Sequence, residues 1–272
     1  MQNKSSTISL EKTKDIELSI QFSLDGFSFC VLNTITKKDI YFTAYKFEET
    51  LNSPKDLLKK IKYIFKNDAN LHIEYAAVSV IHQNNLSTLV PKKYFNEDNL
   101  ATYLNYNIKT LKTDFIAFDD INLIDAKNVY IPYVNINNYL FQNFGEFDYK
   151  HHSTVLIEKL LKTESSTDKV MYINVYKSSF DVIVIENKKL IFSNSFSYDT
   201  KEDFIYYILF TAEQLQLNTE EFKLYLTGEI NEGSETYKIT YNYIKNILFL
   251  ESKNTIFNDL EIDNHTNYIL LG

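Results

Sequence analysis

The chain has 272 residues, 44% of them hydrophobic, with a formal net charge of −8 and a pI near 5.2. That length suits one large domain or two of ordinary size, and the composition is globular rather than disordered. The acidity argues against nonspecific binding to nucleic acid or to an anionic membrane surface, while leaving room for a local basic face.

Every one of the 28 basic residues is lysine, so forked guanidinium recognition of phosphate is absent. Tyr (21) and Phe (20) are plentiful and Trp is absent, which predicts an aromatic-rich core. The single cysteine, Cys30, allows no internal disulfide and falls inside a predicted strand. It reads as core packing in a reducing compartment, and the cytoplasm is the expected location. No run approaches the roughly 18 apolar residues of a membrane span.

Residues 1–14 are polar and charged, lack the apolar stretch of a signal peptide, and are expected to be a disordered leader. Leu18, Ile20 and Phe22 alternate with polar neighbours, as in a half-buried strand. Leu24-Asp25-Gly26 supplies a turn, with Gly26 able to take positive φ. Phe27–Leu32 and Ile40–Phe47 complete a three-strand meander. Ser53-Pro54 predicts a helix start, N-cap then first helical position. Leu57, Leu58, Ile61, Ile64 and Phe65 would form its buried face. Tyr75–Ile81 is a continuous apolar run suited to a central strand.

Leu86–Val90, closed by Pro91, predicts another strand, followed by a helix near Glu97–Lys109. Phe115–Phe118 and Val129–Tyr133 read as strands, with Asp119-Asp120 as a turn at a strand end. A helix over Asn135–Phe144 should stop at Gly145. Phe147–Tyr149 is a short strand leading to a helix over Thr154–Leu161, and Lys162–Lys169 is the best linker. Strands then fall near Val170–Val175, Phe180–Glu186 and Lys189–Phe196. A helix over Thr200–Gln214 follows, with Phe204, Ile208, Thr211 and Ala212 inward. Phe222–Leu226 is a strand ending in Thr227-Gly228. A helix near Ser234–Leu248 and a last strand at Ile269–Leu271 complete the chain.

Ile16–Phe47 and Val170–Tyr198 therefore share one plan: apolar run, polar turn, apolar run, polar turn, apolar run. Each is followed by a helix and another apolar run. The expected class is α/β with two mixed sheets and packed helices. The halves would be residues 15–162, carrying an insert, and residues 163–272.

This arrangement resembles the actin, sugar kinase and heat-shock chaperone ATPase superfamily, in which two duplicated ribonuclease H-like domains face a nucleotide cleft. The family's second phosphate loop reads roughly hydrophobic-Asp-x-Gly-Gly-Gly-Thr-x-Asp-hydrophobic. Here the segment is Ile173-Asn174-Val175-Tyr176-Lys177-Ser178-Ser179-Phe180-Asp181-Val182. Ser179 stands where Thr is usual and Asp181 matches the last Asp. Asn174 replaces the leading Asp, and Tyr176, Lys177 and Ser178 replace the Gly run. In the first loop Gln21 stands where the strand-end Asp is usual, and Asp25-Gly26 keeps the turn. The adenosine loop, usually a strand followed by Gly-Gly, keeps Gly228 in Tyr225-Leu226-Thr227-Gly228-Glu229.

Within the superfamily, Val129–Leu161 resembles the segment joining the two domains in the pilus-assembly and cell-division branch. LSIQFSLDGFSFCVL, TLVPKKYF and FDYKHHSTVLIEKLL resemble a family of uncharacterised bacterial proteins, a domain of unknown function with an actin-like ATPase fold. The resemblance implies a fold and no activity.

Phosphate binding in this fold uses backbone N–H groups in Gly-rich turns, and Mg²⁺ wants carboxylate oxygen, often through water. Gln21 and Asn174 keep oxygen but lose charge, and Tyr176 and Lys177 put side chains where phosphates would lie. The same losses count against two-metal nuclease chemistry. The expectation is a non-catalytic, cytoplasmic scaffold or regulator that binds an unidentified protein and needs no cofactor. The alternative is an actin-like protein that binds or hydrolyses ATP with Mg²⁺ through noncanonical residues. Such a ligand would sit near Gln21, Asp25, Gly26, Asn174, Lys177, Ser178, Ser179, Asp181 and Gly228. Homo-oligomerisation is a further expectation of the resemblance. Elsewhere His151-His152 resembles a metal pair only superficially, because adjacent residues point different ways, and it reads instead as a solvated or helix-capping pair. His72, His82 and His265 have no partners at ligand spacing. Thr88–Pro91 and Tyr94-Phe95 read as core in preference to a contact surface.

Overall fold

The computed structural model describes residues 14–163 and 166–272. The predicted leader, apart from Lys14, and residues 164–165 of the predicted linker lie outside them.

Strands β1 (Ile16–Ser23), β2 (Gly26–Asn33) and β3 (Lys38–Lys46) form an antiparallel meander. Helix α1 (Pro54–Asn67) starts where Ser53 Oγ accepts the Asp56 N–H, with Pro54 in the first turn. It packs Leu57, Ile61, Ile64 and Phe65 against the sheet and returns the chain to β4 (Ala77–His82), parallel to β1. An insert follows: β5 (Ser87–Pro91), α2 (Leu100–Leu104), β6 (Ala117–Ile121) and β7 (Ala126–Tyr130), whose strands form a separate sheet in the order β5-β7-β6. Helix α3 (Val134–Phe144), ended by Gly145, packs beside α1. β8 (Asp148–His151) closes the first sheet, order β3-β2-β1-β4-β8. Helix α4 (His152–Thr163) follows without a break.

The remaining chain repeats that order. β9 (Val170–Val175), β10 (Ser179–Glu186) and β11 (Lys189–Ser197) form a second meander. Helix α5 (Lys201–Gln214) opens on a reciprocal cap between Thr200 and Asp203. β12 (Lys223–Gly228) returns parallel to β9, then come α6 (Glu235–Tyr243), β13 (Asn246–Phe249) and α7 (Tyr268–Leu271). The second sheet runs β11-β10-β9-β12-β13, the same pattern of neighbours as the first.

Side-chain alternation explains the layers. Leu18, Ile20 and Phe22 face α1 and α3, while Cys30, Phe42 and Ile81 point to the opposite side, toward Leu156, Ile157 and Leu160 of α4. In the second sheet Met171, Ile173 and Val175 face α5, and Val170 and Tyr172 face α4. Both faces of β9 and β10 are therefore covered, which is why they read as unbroken apolar runs. Helix α4 is the wedge between the two sheets.

Five expectations are corrected. The helix over Glu97–Lys109 shrinks to a 3₁₀ turn, Glu97–Asn99, plus the five residues of α2. The helix over Ser234–Leu248 ends at Tyr243, and Asn246–Phe249 pairs with β12 instead. Ile269–Leu271 is helical, buried against α4 and the first sheet, since a three-residue apolar run carries no period. Gly26 does not adopt positive φ; a Cβ there would lie 2.9 Å from the Tyr45 carbonyl oxygen, so close strand pairing excludes a side chain. Asp119-Asp120 is not a turn but lies within β6.

Those two aspartates have opposite fates. Asp120 is on the outer face, paired with Lys127 at 2.8 Å. Asp119 is buried and accepts from Tyr130 Oη (3.0 Å), Thr154 Oγ1 (2.7 Å) and the His151 N–H (2.8 Å). Asp119 thus anchors the N-terminus of α4 from the insert sheet. Asp119→Ala is expected to cost roughly 3 kcal/mol by stranding buried donors, and Asp120→Ala less than about 1 kcal/mol, in urea unfolding of the two variants.

Candidate functional site

The two meanders present their first turns to a common cleft. Its walls come from Gln21, Asp25, Gly26, Lys46 and Gln83 on one side and Asn174, Tyr176, Lys177, Gly228 and Glu229 on the other, with Tyr268 at the base. Six of the nine residues expected near a ligand, Gln21, Asp25, Gly26, Asn174, Lys177 and Gly228, are brought together there. Ser178, Ser179 and Asp181 are not. The cleft holds about 90 Å³, against roughly 300–1,000 Å³ for typical small-molecule sites.

The turns use their own polar groups. In the first, the Asp25 N–H donates to Ser23 Oγ at 3.0 Å and Asp25 Oδ1 accepts from Thr50 Oγ1 at 2.5 Å. In the second, the Tyr176 N–H donates to the Ser179 carbonyl at 2.8 Å, and the Tyr198 N–H to that of Ser178 at 3.0 Å. In the third, the Gly228 N–H donates to the His265 carbonyl and the Glu229 N–H to that of Val175. Gly228 sits at φ +87°, and a Cβ would fall 2.2 Å from Val175 O. Its glycine therefore serves the close approach of β12 to β9.

Two contacts cross the cleft. Lys46 Nζ meets Glu229 Oε1 at 2.8 Å, and Lys177 Nζ donates to the Glu48 carbonyl at 2.7 Å. Both are exposed and each contributes at most about 1 kcal/mol. Sequence reasoning missed Lys46 and Glu229, because nothing local pairs residues from two different halves. Gln21 Nε2 donates to Gln83 Oε1 at 2.6 Å. Among the described residues no cluster of three or more His, Cys, Asp and Glu side chains could hold a metal ion.

Asp181 points away from the cleft into the base of the second sheet. Its Oδ2 accepts from Tyr176 Oη at 2.7 Å and lies 3.2 Å from His152 Nε2, and its Oδ1 accepts from Ser195 Oγ at 2.5 Å. Burial opposes the charged carboxylate, but attraction to His152 and the three hydrogen bonds outweigh it and hold the carboxyl below its ordinary range. The same burial and the neighbouring carboxylate push the Tyr176 hydroxyl far above its own.

The adjacent histidines are not solvated: both are fully buried. Nor do they point apart: the two rings lie 4.3 Å from centroid to centroid, although their nitrogens have different partners. His151 contacts Ser153 Oγ (2.8 Å) and the Asn84 carbonyl (3.0 Å) through its two nitrogens, while His152 reaches across to Asp181. Burial drives the His151 ring well below its usual range, so it is neutral. His82 likewise lies in the core, lowered to about 4 by burial, and it is bonded to Asn137.

Residues 5–247 match the profile of a family described as "Protein of unknown function (DUF3822)". The chain belongs to that family. No curated protein matches this DUF3822 member. It is similar to a Bacteroides thetaiotaomicron crystal structure described as a protein with actin-like ATPase fold and unknown function. That likeness has 24% identity and a TM-score of 0.81, covering 90% of this chain and 94% of the other. It is also similar to a chain of a PilM-PilN type IV pilus biogenesis complex, at 10% identity and TM-score 0.57, covering 86% and 88%. The fold of this DUF3822 chain is the actin-like ATPase fold. No helix among its described residues is long and apolar enough to cross a membrane.

Two measurements test this geometry. Gly228→Ala combines a strained φ with a backbone clash and should lose at least about 2 kcal/mol in urea unfolding. Asp181→Asn should be roughly 3–5 kcal/mol less stable than wild type near neutral pH. The folded-state pKa of Asp181 lies below the unfolded value of about 3.9. Its stabilisation is therefore in place above that value and is lost as pH falls through the folded one. The gap between the two melting curves should narrow steadily below about pH 5.

Proposed function

We propose that this protein is a non-catalytic member of the actin-like fold that acts by binding another protein, as a scaffold or regulator in a reducing, cytoplasmic compartment. Its two sheets, within residues 15–162 and 163–272, would be halves of one duplicated architecture that has kept its frame and given up its phosphate chemistry. The observation that carries this reading is that four backbone donors of the cleft turns are already used. The N–H groups of Asp25, Tyr176, Gly228 and Glu229 are all spent inside the protein, whereas a phosphate site needs them free.

Three further observations support it. The space between the turns is about 90 Å³. The strand-end positions carry the amides of Gln21 and Asn174, which offer Mg²⁺ no charge. Asp181, the one carboxylate of the second loop, is turned away and shares its oxygens among Tyr176, Ser195 and His152. The similar chain in the PilM-PilN complex belongs to a two-protein assembly, which favours binding as a use of this fold.

Thermal melting with Mg²⁺ and millimolar ATP distinguishes this reading from a nucleotide-binding one. A ligand that binds the folded state with a Kd of tens of micromolar would add more than about 2 kcal/mol through RT ln(1 + [L]/Kd). The expected outcome is no shift. A clear shift that disappears in Lys177→Ala would overturn the proposal.

A further inference from the structure

Helix α1 carries five lysines and one aspartate in a chain whose net charge is −8. Four of them, Lys55, Lys59, Lys62 and Lys66, follow a 4-3-4 spacing and fall in single file along the side opposite the buried Leu57, Ile61 and Ile64. At 1.5 Å rise per residue the row is about 16 Å long. All four are exposed, and among the described residues only Lys59 forms an ion pair, with Asp56. Like charges at these spacings repel, and the one ion pair to Asp56 offsets only part of that.

Helix α3 lies alongside. Asn135 Nδ2 donates to the Pro54 carbonyl at the start of α1, and Phe144 packs on Phe65 near its end, so the two helices run in the same direction. Lys62 sits over the Tyr139 ring of α3 at 5.4 Å. Nothing on α3 is charged. Its outward positions at i, i+4 and i+7 are Val134, Asn138 and Phe141, with Val134 38% and Phe141 60% exposed. A row of positive charge and a parallel apolar-to-neutral strip therefore share one face.

We propose that this α1–α3 face docks an acidic, amphipathic helical segment of a partner protein. Carboxylates at i and i+4 would meet the lysine row turn for turn, and the segment's apolar side would cover Val134 and Phe141. Charge complementarity fixes the sign of the partner, and the linear shape fixes its form. A flat anionic bilayer would engage a broad patch with its apolar anchors inside the basic field; here the anchors lie to one side of a single file. This rests on the reading of the protein as a binder of proteins. Its test reads peptide binding and not nucleotide, so the two can fail separately.

The probe is a fluorescent helical peptide of about 20 residues with Glu at i, i+4, i+7 and i+11 and Leu on the adjacent strip. Its controls are a scrambled peptide of the same composition and vesicles of phosphatidylcholine with phosphatidylserine. The patterned peptide should bind about tenfold more tightly than the scrambled one and weaken with added salt. The double variant Lys55→Glu/Lys62→Glu should weaken it at least about tenfold, and Phe141→Ser several-fold. All these positions are exposed, so unchanged melting temperatures confirm folded variants. Three outcomes would overturn the proposal: no preference over the scrambled peptide, wild-type binding by the double variant, or no binding of the peptide at all. Vesicle binding that the double variant abolishes, with peptide binding unaffected, would assign the face to a lipid surface instead.

Discussion

The N-terminus of α4 is the point on which the arrangement of the sheets depends. Two buried carboxylates converge on it from different sheets. Asp119, on the insert, accepts from the His151 N–H and the Thr154 hydroxyl; Asp181, on the second sheet, faces the His152 ring. Burying a carboxylate is tolerable only where donors or opposite charge compensate it, and the positive end of a helix adds to that compensation. Because β8 leads straight into α4, the first sheet is tied to the same point. The apolar remainder of the helix, Leu156, Ile157, Leu160 and Leu161, then fills the space between the two sheets. One helix sets how the insert and both meanders sit together.

The width of the cleft follows from that. Asp181, which the resemblance would place at the end of a phosphate loop, is bonded to α4 and to Ser195. Tyr176, placed where a glycine would leave the turn open, folds back to hydrogen-bond the same carboxylate. A side chain in the turn and a carboxylate below it thus stabilise each other, and the turn closes on itself through Tyr176 and Ser179. Opening this turn by removing the Tyr176 side chain would take one donor from a fully buried carboxylate. Closed turns and a wedge helix held from the second sheet are one physical solution.

What was legible in the sequence is what periodicity encodes. Alternation in β1, the Ser53-Pro54 start of α1, the Thr200 start of α5 and the unbroken runs of β9 and β10 all have local causes. Lys55 to Lys66 could be read as a charged outer face for the same reason. The failures were tertiary. Asp119 and Asp120 are chemically identical neighbours, and only the pleat, which sends successive side chains to opposite faces, separates a buried anchor from a surface ion pair. His151-His152 looked polar and therefore exposed, but their partners Asn84 and Asp181 lie 67 and 29 residues away. Lys46 and Glu229 meet only because both halves have folded. In the candidate site, residue identities could be placed on loops; that Asp25, Tyr176, Gly228 and Glu229 spend their N–H groups within the protein could not be seen until the turns closed.

The two five-stranded sheets, with the same order of neighbours, show where constraint ends. α1 and α5 each follow the third strand of a meander and bury the same kind of stripe, Leu57, Ile61, Ile64 and Phe65 against Phe204, Ile205, Ile208 and Ala212. Their outward rows share no chemistry. The row of α5 runs through Glu202, Tyr206, Phe210 and Glu213, with Tyr206 stacked on Phe210, while that of α1 is lysine throughout. Packing against a sheet dictates the inner stripe and leaves the outer one free. On the proposed reading the cleft between the turns takes no ligand. Recognition of a partner would then be carried by surfaces on which the two helices differ, and the lysine row of α1 beside the uncharged α3 is such a surface.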